Sequence, residues 1–492
     1  MSYALLAPEI LLTILALVII LFGLLMNDKS KNTLGYLSAA GILASIISIL
    51  GIKGTGSFFY NSLVIDPLSQ IFKLIFLVVS LLAVIASVSY FKDNRHQDEY
   101  YALLLLAIVG MMVVASANDL VTLFVGFELA SMSTYVLAGF EKKNPASLEA
   151  ALKYFIIGSL SSALLLFGMS LVYGITGSTN IPVIIEFFKT NPLLAAGSLG
   201  VIAIIFLIAG FGFKMALVPF HMWAPDTYEG SPTVVSSLLA AGSKKMGFVA
   251  AFRILVLFAV AVPSLRLDIQ MAFAVLAVIT MTYGNIVAIS QRSIKRMLAY
   301  SSIAQAGYIA LAFVVTTQMS VAGGVLLALG HALMKGGAFI AVAVVGYMVL
   351  SNNKNAKNTD DIENFAGLGK RAPITAFSLL VFFLALAGIP PSAGFIGKFV
   401  LFYSITTEAV RLTSSWLLIV VIIAILNSAL SIYYYARVIR YMYVLPPIGD
   451  KIKEPTPYVI ALVLAVIGTI GIGIYPEPFI EMAMNAAHVL GV

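Results

Sequence analysis

Glu128 lies within Val121-Thr-Leu-Phe-Val-Gly-Phe-Glu-Leu-Ala-Ser-Met132, and Lys214 within Ile208-Ala-Gly-Phe-Gly-Phe-Lys-Met-Ala-Leu-Val-Pro-Phe220. Lys335 and Lys398 sit equally deep in apolar runs. A charged side chain at a bilayer centre costs at least ~2.5–3.5 kcal/mol, so residues this deep mark a function. Their chemistry is proton carriage. Burial favours the neutral amine of a lysine, and a nearby carboxylate favours the ammonium. A pair about 4 Å apart is worth ~4 kcal/mol at an effective dielectric of 20, enough to load or unload an amine near neutral pH. The expected path has Glu128 modulating Lys214, with Lys244, His331 and Lys335 relaying toward Lys398. Lys73, Lys153 and Arg253 lie nearer the ends of their runs, where snorkelling competes; Lys153 is kept as a candidate. Lys245 is expected to snorkel rather than to function, because the adjacent Lys244 can occupy only one of two diverging faces.

Other chemistries find no support. The chain has no cysteine, which excludes disulfides, thiolate metal sites and Cys-ligated iron–sulfur clusters. There is no dinucleotide fingerprint and no phosphate loop. His221 and His331 lack the carboxylate neighbours a metal site would want. The net charge of +7 is spread over loops, which suits membrane topology better than nucleic acid.

The elements that must position these residues are transmembrane helices. Apolar residues make up 61% of the chain and charged ones 10%, which describes an all-α polytopic membrane protein. At roughly 20 residues per span, fourteen spans are expected, near 5–26, 33–52, 64–91, 101–117, 119–140, 146–176, 194–219, 232–260, 270–290, 297–315, 319–350, 372–405, 414–436 and 457–476. They form a single membrane domain over 1–492, with little room for a soluble one. The first run has no basic n-region and is followed by Lys29 and Lys31, so it reads as a retained helix. Odd-numbered connections carry seventeen Lys and Arg residues, Lys354 and Lys357 among them, and even-numbered ones four, Lys53 among them. That bias places both termini on the outer side.

Pro219 follows Lys214 by five residues, and Gly388, Pro390, Pro391, Gly394 and Gly397 precede Lys398. Spans seven and twelve are therefore expected to be broken beside a lysine, a recurring arrangement for ion and proton sites. Ala209-Gly-Phe-Gly-Phe-Lys214 and Ala393-Gly-Phe-Ile-Gly-Lys398 share a pattern. Lys153 precedes Lys214 by about the interval at which Lys335 precedes Lys398. Two related five-helix halves follow, about 101–260 and 270–436, flanked by helices 1–3 over about 5–91 and a last helix at 457–476. Because five is odd, the second half must enter the membrane inverted.

The segments Phe213-Lys-Met-Ala-Leu-Val-Pro-Phe-His-Met-Trp-Ala-Pro-Asp-Thr-Tyr-Glu-Gly-Ser-Pro232, Lys295-Arg-Met-Leu-Ala-Tyr-Ser-Ser-Ile-Ala-Gln-Ala-Gly-Tyr308, His331-Ala-Leu-Met-Lys335 and Leu386-Ala-Gly-Ile-Pro-Pro-Ser-Ala-Gly-Phe-Ile-Gly-Lys398 resemble signatures of the antiporter-like subunits of respiratory complex I, the NADH–quinone oxidoreductase. The start, Ala7-Pro-Glu-Ile, and the end, Gly473-Ile-Tyr-Pro-Glu-Pro, are similar too. The N type is the best match: the length fits, no long lateral helix follows span fourteen, and Lys398 stands where M-type chains usually carry glutamate. The resemblance implies that Glu128, Lys153, Lys214, Lys244 and Lys398 are the functional residues of helices five, six, seven, eight and twelve. It implies proton translocation driven by quinone reduction in neighbouring subunits, within a bacterial-type inner membrane. K-type and M-type chains would be direct neighbours. NADH, FMN, iron–sulfur clusters and quinone would belong to other subunits, and no cofactor to this one. A multi-subunit sodium/proton antiporter, a ferredoxin-fed equivalent and a purely structural membrane-arm subunit remain the alternatives.

Overall fold

The computed structural model describes residues 3–51, 54–352, 358–449, 451 and 453–492. Lys53, Lys354 and Lys357, counted above among the loop charges, lie outside them. Among the described residues, eleven helices are long and apolar enough to cross a membrane, from Tyr3–Leu25 to Thr456–Ile474.

The other three expected spans are helical but short or interrupted. The region 232–260 is Thr233–Leu238, a π-turn at Leu239–Ser243, Lys244–Ala251, a second π-turn at Phe252–Val256, then Leu257–Ala261. The region 297–315 is Ile294–Ala310 closed by a 3-10 turn, Leu311–Phe313. The region 372–405 is split into Pro373–Ala387 and Ala393–Arg411.

Short polar residues start many of the helices. The Asp66 carboxylate accepts from Ser69 N while Ser69 Oγ accepts from Asp66 N, closing a capping box before Pro67–Tyr90. Asp119, Ser293 and Ser392 cap their helices more simply, each accepting from a backbone N–H of the first turn.

Both broken spans end their first half in one motif. After Ser198–Met215, Ala216 takes a left-handed φ of 55°, with bonds from Ala216 N to Phe213 O and Leu217 N to Gly212 O. After Pro373–Ala387, Gly388 takes φ 88°, with Gly388 N bonded to Ala385 O and Ile389 N to Leu384 O. Each is a Schellman stop, which satisfies two of the orphaned terminal carbonyls. The first break comes three residues before Pro219, so the turn at Ala216 ends that helix. Proline sets the path beyond it.

Close contacts fix the second broken span. A Cβ on Gly397 would lie 2.7 Å from Leu327 Cα, and one on Gly323 2.9 Å from Leu401 N. Helix Ala393–Arg411 is therefore pressed onto the long helix Gln318–Asn352, which carries His331 and Lys335. Hydropathy gave no hint of the hairpin Gly56–Phe58/Leu63–Ile65 or of the short helices Ile181–Thr190 and Glu477–His488.

Candidate functional site

Lys214 is the next-to-last residue of its helix and is fully buried. Its ammonium donates to Ser131 Oγ at 2.8 Å and to Tyr154 OH at 3.2 Å. The rings of Phe127, Tyr135 and Tyr154 lie 5.5–5.8 Å away, within cation–π range. Phe127, Ser131 and Tyr135 recur every four residues on helix Leu120–Ala138, so one face of it supplies the cradle.

Lys244 follows the first π-turn and donates to both the carbonyl and the hydroxyl of Ser302 at 3.0 Å. Lys245 Nζ lies 2.6 Å from His331 Nδ1 and donates to Ala240 O at 2.8 Å. Lys335 donates to Ser301 Oγ at 2.8 Å and Leu298 O at 3.3 Å, and the Ser301 hydroxyl is bonded to Tyr435 OH.

Lys398 closes the series. It donates to Leu386 O at 3.0 Å, Ala387 O at 3.3 Å and Ser428 Oγ at 2.9 Å, and lies 4.5 Å from the Tyr308 ring centre. Leu386 and Ala387 end Pro373–Ala387, so the amine takes up carbonyls that the helix terminus leaves free. Gln305 Nε2 also donates to Leu386 O, at 2.9 Å. A cavity of about 370 Å³ opens beside Lys398 between Phe399, Tyr403 and Ile425.

Four buried polar atoms along this stretch, Ser243 Oγ, Tyr228 OH, Gln305 Oε1 and His331 Nε2, make no hydrogen bond among the described residues. Each orphan costs about 1–3 kcal/mol.

The structure separates Glu128 and Lys153 from this series. Glu128 is half-buried and accepts from Ser162 Oγ at 2.5 Å. Among the described residues no ion pair joins it to Lys214, whose polar partners are the hydroxyls named above. Lys153 pairs with Asp226 at 2.8 Å and Glu149 at 2.7 Å, in a network that Arg296 joins through Asp226 and Glu229. Burial alone would raise the Asp226 carboxyl, but its bonds to Lys153 and Arg296 hold it below the ordinary carboxylate value. It is Tyr154, one residue on, that reaches Lys214.

Lys245 does not snorkel. Every residue from Ser231 to Val256 is buried, so this span has no lipid-facing side and diverging faces still lead into protein. Lys73 and Arg253 do not snorkel either. Lys73 pairs with Glu9 at 2.5 Å, and Arg253 grips both carboxylate oxygens of Asp66 at 2.8 and 3.0 Å. Sequence reasoning passed over the hydroxyl partners, although Ser301, Ser302, Gln305 and Tyr308 fall at helical spacing in a span that carries no acidic residue. Among the described residues, no group of three His, Asp or Glu side chains could hold a metal ion.

Residues 117–431, which contain every lysine of the series, match the family model described as NADH:quinone oxidoreductase/Mrp antiporter, TM. The chain belongs to this family. It is 54% identical to the F(420)H(2) dehydrogenase subunit N of Methanosarcina mazei, over 99% of this chain and 98% of that one. It is 40% identical to the NADH-quinone oxidoreductase subunit N of Trichlorobacter lovleyi, over 98% and 96%. A chain in the structure of Thermus thermophilus respiratory complex I is 30% identical and superposes with a TM-score of 0.79, covering 96% of this chain and 98% of that one. Membership in the NADH:quinone oxidoreductase/Mrp antiporter family bears out the resemblance drawn from the motifs.

Proposed function

We propose that the chain carries protons through the membrane arm of a redox-driven complex, along Lys214, Lys244, Lys245–His331, Lys335 and Lys398. The observation that carries this reading is the set of buried amines, each on hydroxyls, carbonyls or an imidazole and, among the described residues, none paired with a carboxylate. Glu128 and Lys153 act from its edge. The proposed topology is fourteen spans in two inverted five-helix halves, counting the interrupted helices, with both termini on the outer side. K-type and M-type chains are the proposed neighbours. Electron donors, quinone and redox groups are assigned to other subunits.

The test is Lys214→Met and Lys398→Met in the assembled complex, reading protons moved per electron. Both are expected to assemble and to lose most pumping. Normal pumping in both would leave the chain a structural subunit, and sodium-dependent exchange would make it an antiporter.

A second reading concerns the donor. The greater identity to the F(420)H(2) dehydrogenase relative than to NADH-named ones favours a complex fed by F(420)H(2). Purifying the tagged chain with its partners and offering both donors decides between them.

A further inference from the structure

The short helix Trp223–Gly230 follows the first break and faces three parts of the molecule at once. Trp223 stacks on Tyr154, with ring centres 4.5 Å apart and planes inclined by 13°, and its indole N–H donates to Phe213 O at 2.8 Å. Tyr154 is the hydroxyl that holds Lys214. Tyr228 lies beneath Lys244, with its ring centre 5.6 Å from the ammonium. Asp226 gives one carboxylate oxygen to Lys153 and the other to Arg296, both at 2.8 Å. Lys153 immediately precedes Tyr154. Arg296 lies on helix Ile294–Ala310, which also presents Ser302 to Lys244. One carboxylate therefore ties together the two helices whose hydroxyls hold Lys214 and Lys244, along with the segment between them.

We propose that Asp226 is a positioning residue for the proton path, clamping helix Trp223–Gly230 between Lys153 and Arg296 and so fixing Lys214 relative to Lys244. This rests on the proton-carrying function proposed above. A carboxylate suits the task because both oxygens accept, whereas an asparagine offers one acceptor and a donor that two cations cannot use. Side-chain exposures of 31% for Asp226, 43% for Lys153 and 31% for Arg296 place the clamp at the protein edge, where ion pairs add little stability. Its effect is geometric. Lys153 keeps Glu149, and Arg296 keeps Glu229 and the Tyr300 ring, so losing Asp226 strands neither cation.

The experiment uses Asp226→Asn and Asp226→Glu in the assembled complex, with Lys214→Met in parallel. Asp226→Asn is expected to assemble normally and to lose roughly tenfold in protons moved per electron, as displacement of reacting groups does. Asp226→Glu is expected to regain most of the loss. Separately, the isolated full chain carrying Trp416→Phe retains Trp223 as its one tryptophan, since the chain has two. Its emission should shift with Asp226→Asn and return with Asp226→Glu. Wild-type pumping or unchanged emission in Asp226→Asn overturns the proposal, as does an Asp226→Glu variant equally impaired. If Asp226→Asn fails to assemble, the pair Lys153→Gln/Arg296→Gln releases the clamp from the other side, and unchanged emission there overturns it. Normal pumping in Lys214→Met would defeat the proton path itself, while the emission would still decide the clamp.

Discussion

Lys245 Nζ and His331 Nδ1 lie 2.6 Å apart, both fully buried, joining helix Lys244–Ala251 to helix Gln318–Asn352. This contact is one of several between the two proposed halves, beside Lys244–Ser302 and Asp226–Arg296. Lys245→Met is expected to cut proton translocation by roughly a hundredfold, the low end of what losing a proton-transfer group costs. The quinone-linked redox rate measured beside pumping checks this; pumping at the wild-type ratio would make Lys245 a packing residue.

Among the described residues Glu128 bonds to Ser162 and pairs with no lysine, so on the proposed path its carboxylate would act on Lys214 from a distance. Glu128→Gln keeps an acceptor for Ser162 and is expected to assemble normally. Its loss of pumping should be smaller than that of Lys214→Met in the same assay. An equal or greater loss would mean that the charge of Glu128 is itself on the path.

Arg253 and Asp66 form a buried bidentate pair, with side-chain exposures of 5% and 7%. Removing one partner strands the other, at a cost of about 3–5 kcal/mol. Asp66→Ala is therefore expected to unfold well below wild type, and more easily than Asp66→Ala/Arg253→Met. Thermal unfolding of the purified chain separates the three; equal stability would show the pair to be dispensable.

Gly397 packs its Cα against helix Gln318–Asn352, and a Cβ there would meet Leu327 Cα at 2.7 Å. Gly397→Val is expected to destabilise by about 1–3 kcal/mol through overpacking and to move Lys398 off Leu386 O. Unfolding and pumping should fall together. A stable variant that pumps normally would show that the helix has room to shift.

The breaks beside Lys214 and Lys398 were legible because glycine and proline announce them, and the buried lysines because an apolar run throws them into relief. What surrounds them was not. Ser131 and Tyr154 lie 83 and 60 residues from Lys214 in sequence, and hydroxyls are common in membrane helices whatever their role. The expectation that Glu128 would pair with Lys214 assumed that a buried amine needs a carboxylate. Lys153 keeps the interval of the repeat and pairs with Asp226, while Tyr154, the next residue, bonds to Lys214. The three spans missing from the uninterrupted helices are cut in different ways: 232–260 by two π-turns, 297–315 by a closing 3-10 turn and 372–405 by the stop at Gly388.

Among the described residues no carboxylate touches Lys214, Lys244, Lys245, Lys335 or Lys398. On the proposed path, in a medium of low dielectric, each occupied position repels occupation of the next. Such a row would regulate its own traffic: a proton admitted at one end would raise the pressure on those already aboard. Occupancy rather than a moving gate would then set the order of departure.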